Sequence, residues 1–369
     1  MVNGKRLTDT FCKLVSIDSL SLEERQMADH LTGILKNLGF TVSEDDTAAK
    51  IGGNAGNLHG FLPGKLNDED PILLCCHMDT MEPGYGKKAI LHDDGTITSD
   101  GTTVLGADDL SGIAAILEAL QVIKEQGKPH RPIEILFTVA EEIHCRGIAN
   151  YDKKSLVSKE CYVLDLTGPV GSAASEAPCI ILFDVKVNGK PAHAGFAPEQ
   201  GIHSIKAATS AISRLDLGNI EGGLTVNIGV IEGGTRTNVV PETTIIKGEV
   251  RSFDNDSAMV HVEKILRTFE EEAKAIGATV DTSYERVSMA YKVDDKSATV
   301  KRFRAACEKL GLPISIAPTK GLSDLNHLHN FGIPGMVLAN AMERCHSTDE
   351  YTTVDELENI ANLVLELMT

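Results

Sequence analysis

Apolar positions along the chain follow two periods, and the switches between them mark out the elements. In LEERQMADHLTGILKNLGF, residues 22–40, Met27, Leu31, Ile34, Leu35 and Leu38 recur at helical spacing, and the stretch closes on Gly39. PILLCCHMD (71–79) and RPIEILFTVAEE (131–142) are short apolar runs of strand type. Between them LSGIAAILEALQVIKEQG (110–127) sets Leu110, Ile113, Ile116, Leu117, Leu120 and Ile123 on one helical face. This alternation predicts an α/β layer with a largely parallel sheet.

The pattern changes near residue 179. IILFDVKVNG, LTVNIGVIEGG, ETTIIKGEVRSFD and ATVDTSYERVSMAYKV read as strands. EQGIHSIKAATSAISRL and DSAMVHVEKILRTFEEEAKAIG read as helices, giving the order β-α-β-β-α-β of a ferredoxin-like unit. The first style then resumes with a helix in SATVKRFRAACEKLG, a strand in GIPGMVLAN and a last helix in DELENIANLVLELM. The expected organisation is one discontinuous domain, 1–178 with 289–369, enclosing an inserted domain, 179–288.

Composition narrows the partners. A formal charge of -18 would repel a phosphate backbone, so nucleic acid is not an expected partner. Tryptophan is absent and aromatics are 4%, which argues against a surface for stacking sugars or bases. MVNGKRLTDTFCKLVSID has no continuous apolar run, so no signal peptide is expected, and no run is long enough to span a membrane. Eight cysteines lie scattered without C-x-x-C spacing, as reduced thiols do, so a cytoplasmic protein is expected.

Residues of metal-ligand type gather at strand ends and loops of the outer domain. They are His77 and Asp79, Asp108 and Asp109 in GADDLSG, Glu141 and Glu142 in FTVAEEIHCRG, Asp165 in YVLDLTGPVGS, and His346 in ERCHSTDEYTTVDEL. Each has a plainer reading: Asp108 or Asp109 would serve as a helix N-cap, the Glu pair and Asp165 as solvated strand ends, and His346 as a surface residue. Their coincidence carries the weight, because open α/β sheets gather ligands outside the carboxyl ends of their strands. Imidazole and carboxylate donors suit zinc, and also cobalt or manganese.

HMDT, GADDLSG, AEE, VLD and CHSTDEY, in that order, with NGKPAHAG and GGTRTNVVPE in the inserted domain, resemble the M20 metallopeptidases, and among them the peptidase T branch. The resemblance covers nearly the whole chain. It implies a zinc-exopeptidase-like α/β catalytic domain with a central mixed sheet between helices, and an inserted ferredoxin-like lid that would also dimerise. It implies two divalent metal ions, with His77 and Asp165 on one, Glu142 and His346 on the other, and Asp108 bridging both. Glu141 would be the general base toward a metal-held water, and Asp79 would hold the second nitrogen of His77. His193 would stabilise the oxyanion, in many relatives at the partner subunit's site, and Asn238 and Arg251 would grip a substrate carboxylate. The peptide bond after Asp108 would be cis. One departure is Leu110, where relatives commonly carry lysine.

The implied activity is release of the N-terminal residue from short peptides of tripeptide size. A deacylase or carboxypeptidase of the same fold would use identical catalytic residues. A non-catalytic binding protein would have lost a ligand or Glu141, and neither is missing.

Overall fold

The computed structural model describes residues 1–66 and 69–369, which fall into two compact units, Met1–Glu176 with Lys292–Thr369, and Ala177–Tyr291. The chain opens with α1 (Gly4–Val15), α2 (Arg25–Leu38), β1 (Thr41–Glu44), α3 (Thr47–Ile51), β2 (Leu58–Leu62), β3 (Ile72–His77), β4 (Ile90–Leu91) and β5 (Thr96–Thr98). It continues through α4 (Ala107–Gln126), β6 (Ile133–Thr138), α5 (Arg146–Ala149), β7 (Glu160–Leu166) and β8 (Ser172–Ala177). The inserted unit holds β9 (Cys179–Asn188), α6 (Ser204–Ser213), β10 (Gly218–Ile220), β11 (Leu224–Gly233), β12 (Thr243–Ser252), α7 (Asn255–Ala275) and β13 (Thr279–Ser288). Then follow β14 (Tyr291–Lys292), α8 (Ala298–Leu310), β15 (Ser315–Pro318), α9 (Leu325–Asn330), β16 (Gly335–Ala339), β17 (Tyr351–Thr353) and α10 (Val354–Met368).

The main sheet runs β1-β2-β6-β3-β7-β16-β8-β14, with β15 added beside β8. Its centre, β6-β3-β7-β16, is parallel, while β2 joins β6 and β8 joins β16 in antiparallel fashion, so the sheet is mixed. Every residue of β3, β6 and β16 is buried, which is why these strands read as continuous apolar runs rather than alternating ones. Ile72 to His77 pair in step with Ile133 to Thr138, so β3 and β6 end side by side.

Helix α4 packs against the sheet and against α1 and α10. It is therefore buried beyond the one predicted face, with Ala114, Ala115, Ala119 and Val122 covered as well. Helix α1 adds Leu7, Phe11, Leu14 and Val15 to the core, a face that the pattern reading left unassigned. Helix α2 stops at Gly39, whose φ of 101° is the left-handed cap that the glycine stop predicts. No helix among the described residues is long and apolar enough to cross a membrane.

In the inserted unit the strands lie in the order β10-β11-β12-β9-β13, all antiparallel. Cys179, Ile181, Phe183, Val185 and Val187 of β9 point to one side, while Asp184 and Lys186 face solvent. That apolar side meets Ala207, Ala208 and Ala211 of α6 and Val262, Ile265 and Phe269 of α7. The result is a βαββαβ layer with one strand more than the pattern predicted, the short β10 at its edge.

Candidate active site

The parallel strands β3, β6, β7 and β16 deliver their carboxyl ends to one place, and each end carries a polar side chain. His77 closes β3, and Glu141 and Glu142 follow β6 after a left-handed Ala140 (φ 54°). Asp165 is the last residue but one of β7, and Asn340 follows β16. Asp108 opens α4, and His346 enters from the loop before β17.

Asp108 stands between two imidazoles. Its Oδ1 lies 3.0 Å from His77 Nε2 and its Oδ2 lies 3.2 Å from His346 Nε2. His346 Nε2 is also 3.0 Å from Glu142 Oε2. Glu142 Oε1 is buried without a hydrogen-bond partner. Ligand-type atoms of His77, Glu141 and Asp165 fall within 4.8 Å of one another, as do those of His77, Asp108 and Glu142. The plainer reading of Asp108 or Asp109 as an N-cap does not describe their side chains: the Asp108 carboxylate faces His77 and His346, and that of Asp109 accepts from the His77 N–H and the Asn340 amide. The peptide bond between them is cis. The Glu pair is not solvated either, since Glu141 is 8% exposed and the Glu142 side chain 4%. Only His346 keeps a half-exposed side chain.

Asp79 works differently from the expectation. The nearer partner of His77 Nδ1 is the backbone carbonyl of Asp79 at 2.9 Å, with the carboxylate at 3.5 Å. That carboxylate accepts the N–H groups of Glu141 at 3.0 Å and Glu142 at 3.1 Å, and the hydroxyl of Ser21 at 2.6 Å. Residue 79 thus fixes the histidine with its backbone and the Glu pair with its side chain.

Asp109, and two groups not singled out from the sequence, Asn340 and Glu350, support this set. Asp109 accepts the His77 N–H at 3.1 Å and the Asn340 side-chain amide, and Asn340 also donates to the Leu164 carbonyl. Glu350, 1% exposed, accepts the backbone N–H of Gly106 at 2.7 Å and of Asp108 at 2.9 Å. Asn340 was findable, because it too ends an apolar strand. Glu350 was not, because its partners are backbone groups 242 and 244 residues away.

Electrostatics match a site built for positive charge. Burial lowers the proton affinity of His77, yet its bonds to Asp108 and Asp79 outweigh burial and raise its pKa well above the usual value. Hydrogen bonds to Asp108 and Glu142 raise His346 to about 10. Burial pushes Asp165 and Glu141 well above the usual carboxylate range, aided by neighbouring acids. For Asp108, bonds from His346 and His77 overcome burial and hold it below that range. Nitrogen and oxygen donors, a carboxylate offering one oxygen to each of two imidazoles, and an orphaned Glu142 oxygen fit divalent cations of the zinc type. A pocket of about 310 Å³ opens on Asp108, Glu141, Glu142, Asp165 and His346, with Leu322, Val337 and Met342 on its walls.

The other predicted residues belong to the inserted unit. His193 is exposed, and its Nδ1 accepts the N–H groups of Gly195 at 3.1 Å and Phe196 at 3.2 Å. The proton therefore sits on Nε2. The Asn238 carbonyl accepts from Ala194 at 3.0 Å, which joins the two lid motifs. Arg251 Nε and Nη2 already engage Glu249 at 2.8 and 3.0 Å.

The model of peptidase family M20/M25/M40 matches residues 73–369. The chain belongs to that family. This M20 peptidase is 37% identical over 368 residues to YqjE of Bacillus subtilis, covering 100% of this chain and 99% of that one. Among solved structures, a tripeptidase from Staphylococcus aureus superposes with a TM-score of 0.96 at 36% identity, covering 100% of this chain and 98% of the other. Aminopeptidase PepT from Bacillus cereus gives 0.92 at 39% identity, with the same coverage. The M20 chain is thus a metal-dependent exopeptidase close to peptidase T.

Proposed function

We propose that the protein is a dinuclear aminopeptidase that releases the N-terminal residue of tripeptides. The observation that carries this is Asp108, whose two oxygens each face a different imidazole. In this reading His77 and Asp165 hold one ion, Glu142 and His346 the other, and Asp108 both. Zinc suits the donors best, with cobalt or manganese as alternatives. Bound there, the ions would polarise the scissile carbonyl and make water acidic enough to attack at neutral pH.

Glu141 takes the proton of the attacking water and hands it to the departing amine. Asp79 keeps Glu141 and Glu142 in place through their N–H groups. His193, protonated on Nε2, donates to the developing oxyanion, in its own or a partner's site. Asn238 binds the far end of the peptide. Arg251 is the weaker candidate for that task, because a substrate carboxylate must first displace Glu249. The inserted unit, 179–288 as read from the sequence, acts as the lid and dimerisation domain. Eight free thiols support a reducing, cytoplasmic setting.

The tripeptidase and aminopeptidase names of the Staphylococcus aureus and Bacillus cereus relatives support peptide over acyl substrates. The test is to incubate the metal-loaded protein with dipeptides, tripeptides and N-acyl amino acids and to identify products by mass. Release of the first residue from tripeptides is expected. Release of an acyl group or of the last residue would replace this reading with the deacylase or carboxypeptidase one.

A further inference from the structure

Glu141 has two buried companions that no step above employs. Cys145 is fully buried, and its thiol donates to Glu141 Oε1 at 3.0 Å. Asp324, 1% exposed, belongs to the same cluster: atoms of Glu141, Cys145 and Asp324 all lie within 4.8 Å of one another. Asp324 is itself anchored through Oδ2, which accepts from the Thr138 hydroxyl and, at 3.6 Å, from the Cys75 thiol. Its Oδ1 has no hydrogen-bond partner. Glu141 is therefore flanked by the carboxyl groups of Asp324 and Glu142, and Cys145 offers it a donor.

The backbone delivers that donor. Ala140, His144 and Cys145 have φ of 54°, 72° and 53°, a left-handed region that non-glycine residues rarely adopt. Three such residues in six coil the loop back on itself, so the Cys145 N–H donates to the Glu141 carbonyl at 2.7 Å and the Arg146 N–H to the Ala140 carbonyl at 2.9 Å. The backbone bond fixes residue 145 over residue 141, and the side-chain bond then fixes the carboxylate. A freely rotating carboxylate between two acids would turn away from them; a tied one cannot.

We infer that Cys145 is a positioning residue for the general base: its thiol ties Oε1 of Glu141 and leaves Oε2 to meet the attacking water. This rests on the assignment of Glu141 as the base. A hydrogen bond to a charged group is worth enough that its loss should lower kcat about tenfold. Cys145→Ala in the metal-loaded enzyme is expected to lose that tenfold in kcat on a tripeptide, with KM and metal content unchanged. Cys145→Ser keeps a donor on the same carbon and is expected to recover kcat to within roughly threefold of the parent. An unchanged kcat in Cys145→Ala, a loss of bound metal, or no recovery in Cys145→Ser overturns the inference.

Should Cys145→Ala not fold, the S–H stretching band of the parent and of Glu141→Gln carries the test. A charged acceptor weakens the S–H bond, so the band is expected to move to higher wavenumber in Glu141→Gln, and an unmoved band overturns the inference. Glu141→Gln also separates the two ideas. If it turns over like the parent, the assignment of the base falls; if it is inactive while Cys145→Ala is unimpaired, only the role of Cys145 falls.

Discussion

Aspartate 79 shows what residue types alone convey and what they omit. HMDT announces a histidine steadied by an acid two residues on, and the acid is in place; but the bond to the ring comes from its carbonyl, and its carboxylate reaches the Glu pair 62 and 63 residues away. Backbone acceptors belong to every residue, so no motif can flag them. The chemistry-bearing side chains were legible for the opposite reason, since imidazoles and acids at strand ends are few. Replacing Glu141 with Gln should leave metal content intact and lower kcat by about 10³-fold or more, measured on tripeptides with the metals counted by mass spectrometry. Asp108→Ala should bind neither ion, and a fully loaded variant would show that residue 108 does not bridge. Lys87 gives a prediction about pH. It is 3% exposed, donates to the Ile17 and Gly84 carbonyls and the Thr80 hydroxyl, and is pushed by burial from 10.5 down to about 8. Below pH 8 both folded and unfolded chains carry the proton, and the folded one bears the full cost of burying it. Between pH 8 and 10.5 the unfolded chain alone keeps the proton, so stability rises with pH, by roughly 3 kcal/mol at about 1.4 kcal/mol per pH unit. Urea midpoints of the parent should climb over that window relative to those of Lys87→Met; parallel curves would count against it.

At the level of elements, long periodic segments and apolar runs were legible, and the deviations have physical causes. Helix α4 declares one face in sequence because its other faces carry alanines, which read as neutral yet pack closely against α1 and α10. The small sheet of β4, β5 and β17 has strands of two or three residues joined across more than 250 positions, too short for any period to register. Strand β3 is the element on which the site depends most, being buried throughout and paired on both sides. Leu74→Ala there should cost about 2–5 kcal/mol of stability, read from denaturant unfolding. Because residues alternate faces along a strand, a one-residue slip of β3 would turn His77 away from Asp108 altogether.

For the molecule as a whole, the change of rhythm near residue 179 and its return near 289 lie close to the bounds of the second compact unit, Ala177–Tyr291, and an antiparallel layer alternates where a parallel one does not. What pattern cannot reveal is how acids and histidines far apart in the chain come within hydrogen-bond reach, because that is decided by strand order. Occupied by cations, the unit carrying the site should be held folded by mass action, about 2.7 kcal/mol for each ion present at a hundred times its dissociation constant. Dialysis against a chelator should therefore lower the melting temperature by roughly 5 °C or more, reversed by adding zinc, while Asp108→Ala should not respond. The order of the clustered residues along the chain carries a last consequence. Residues 77, 108, 142 and 165 precede the inserted unit, whereas His346 follows it. During synthesis a growing chain can thus gather most of the clustered residues early, but it cannot complete the surroundings of Glu142 until the inserted unit has been made. In the dinuclear site proposed above, uptake of the second metal would then report that the inserted unit has been synthesised, and a peptidase that depends on that ion would stay inert until the inserted unit is in place.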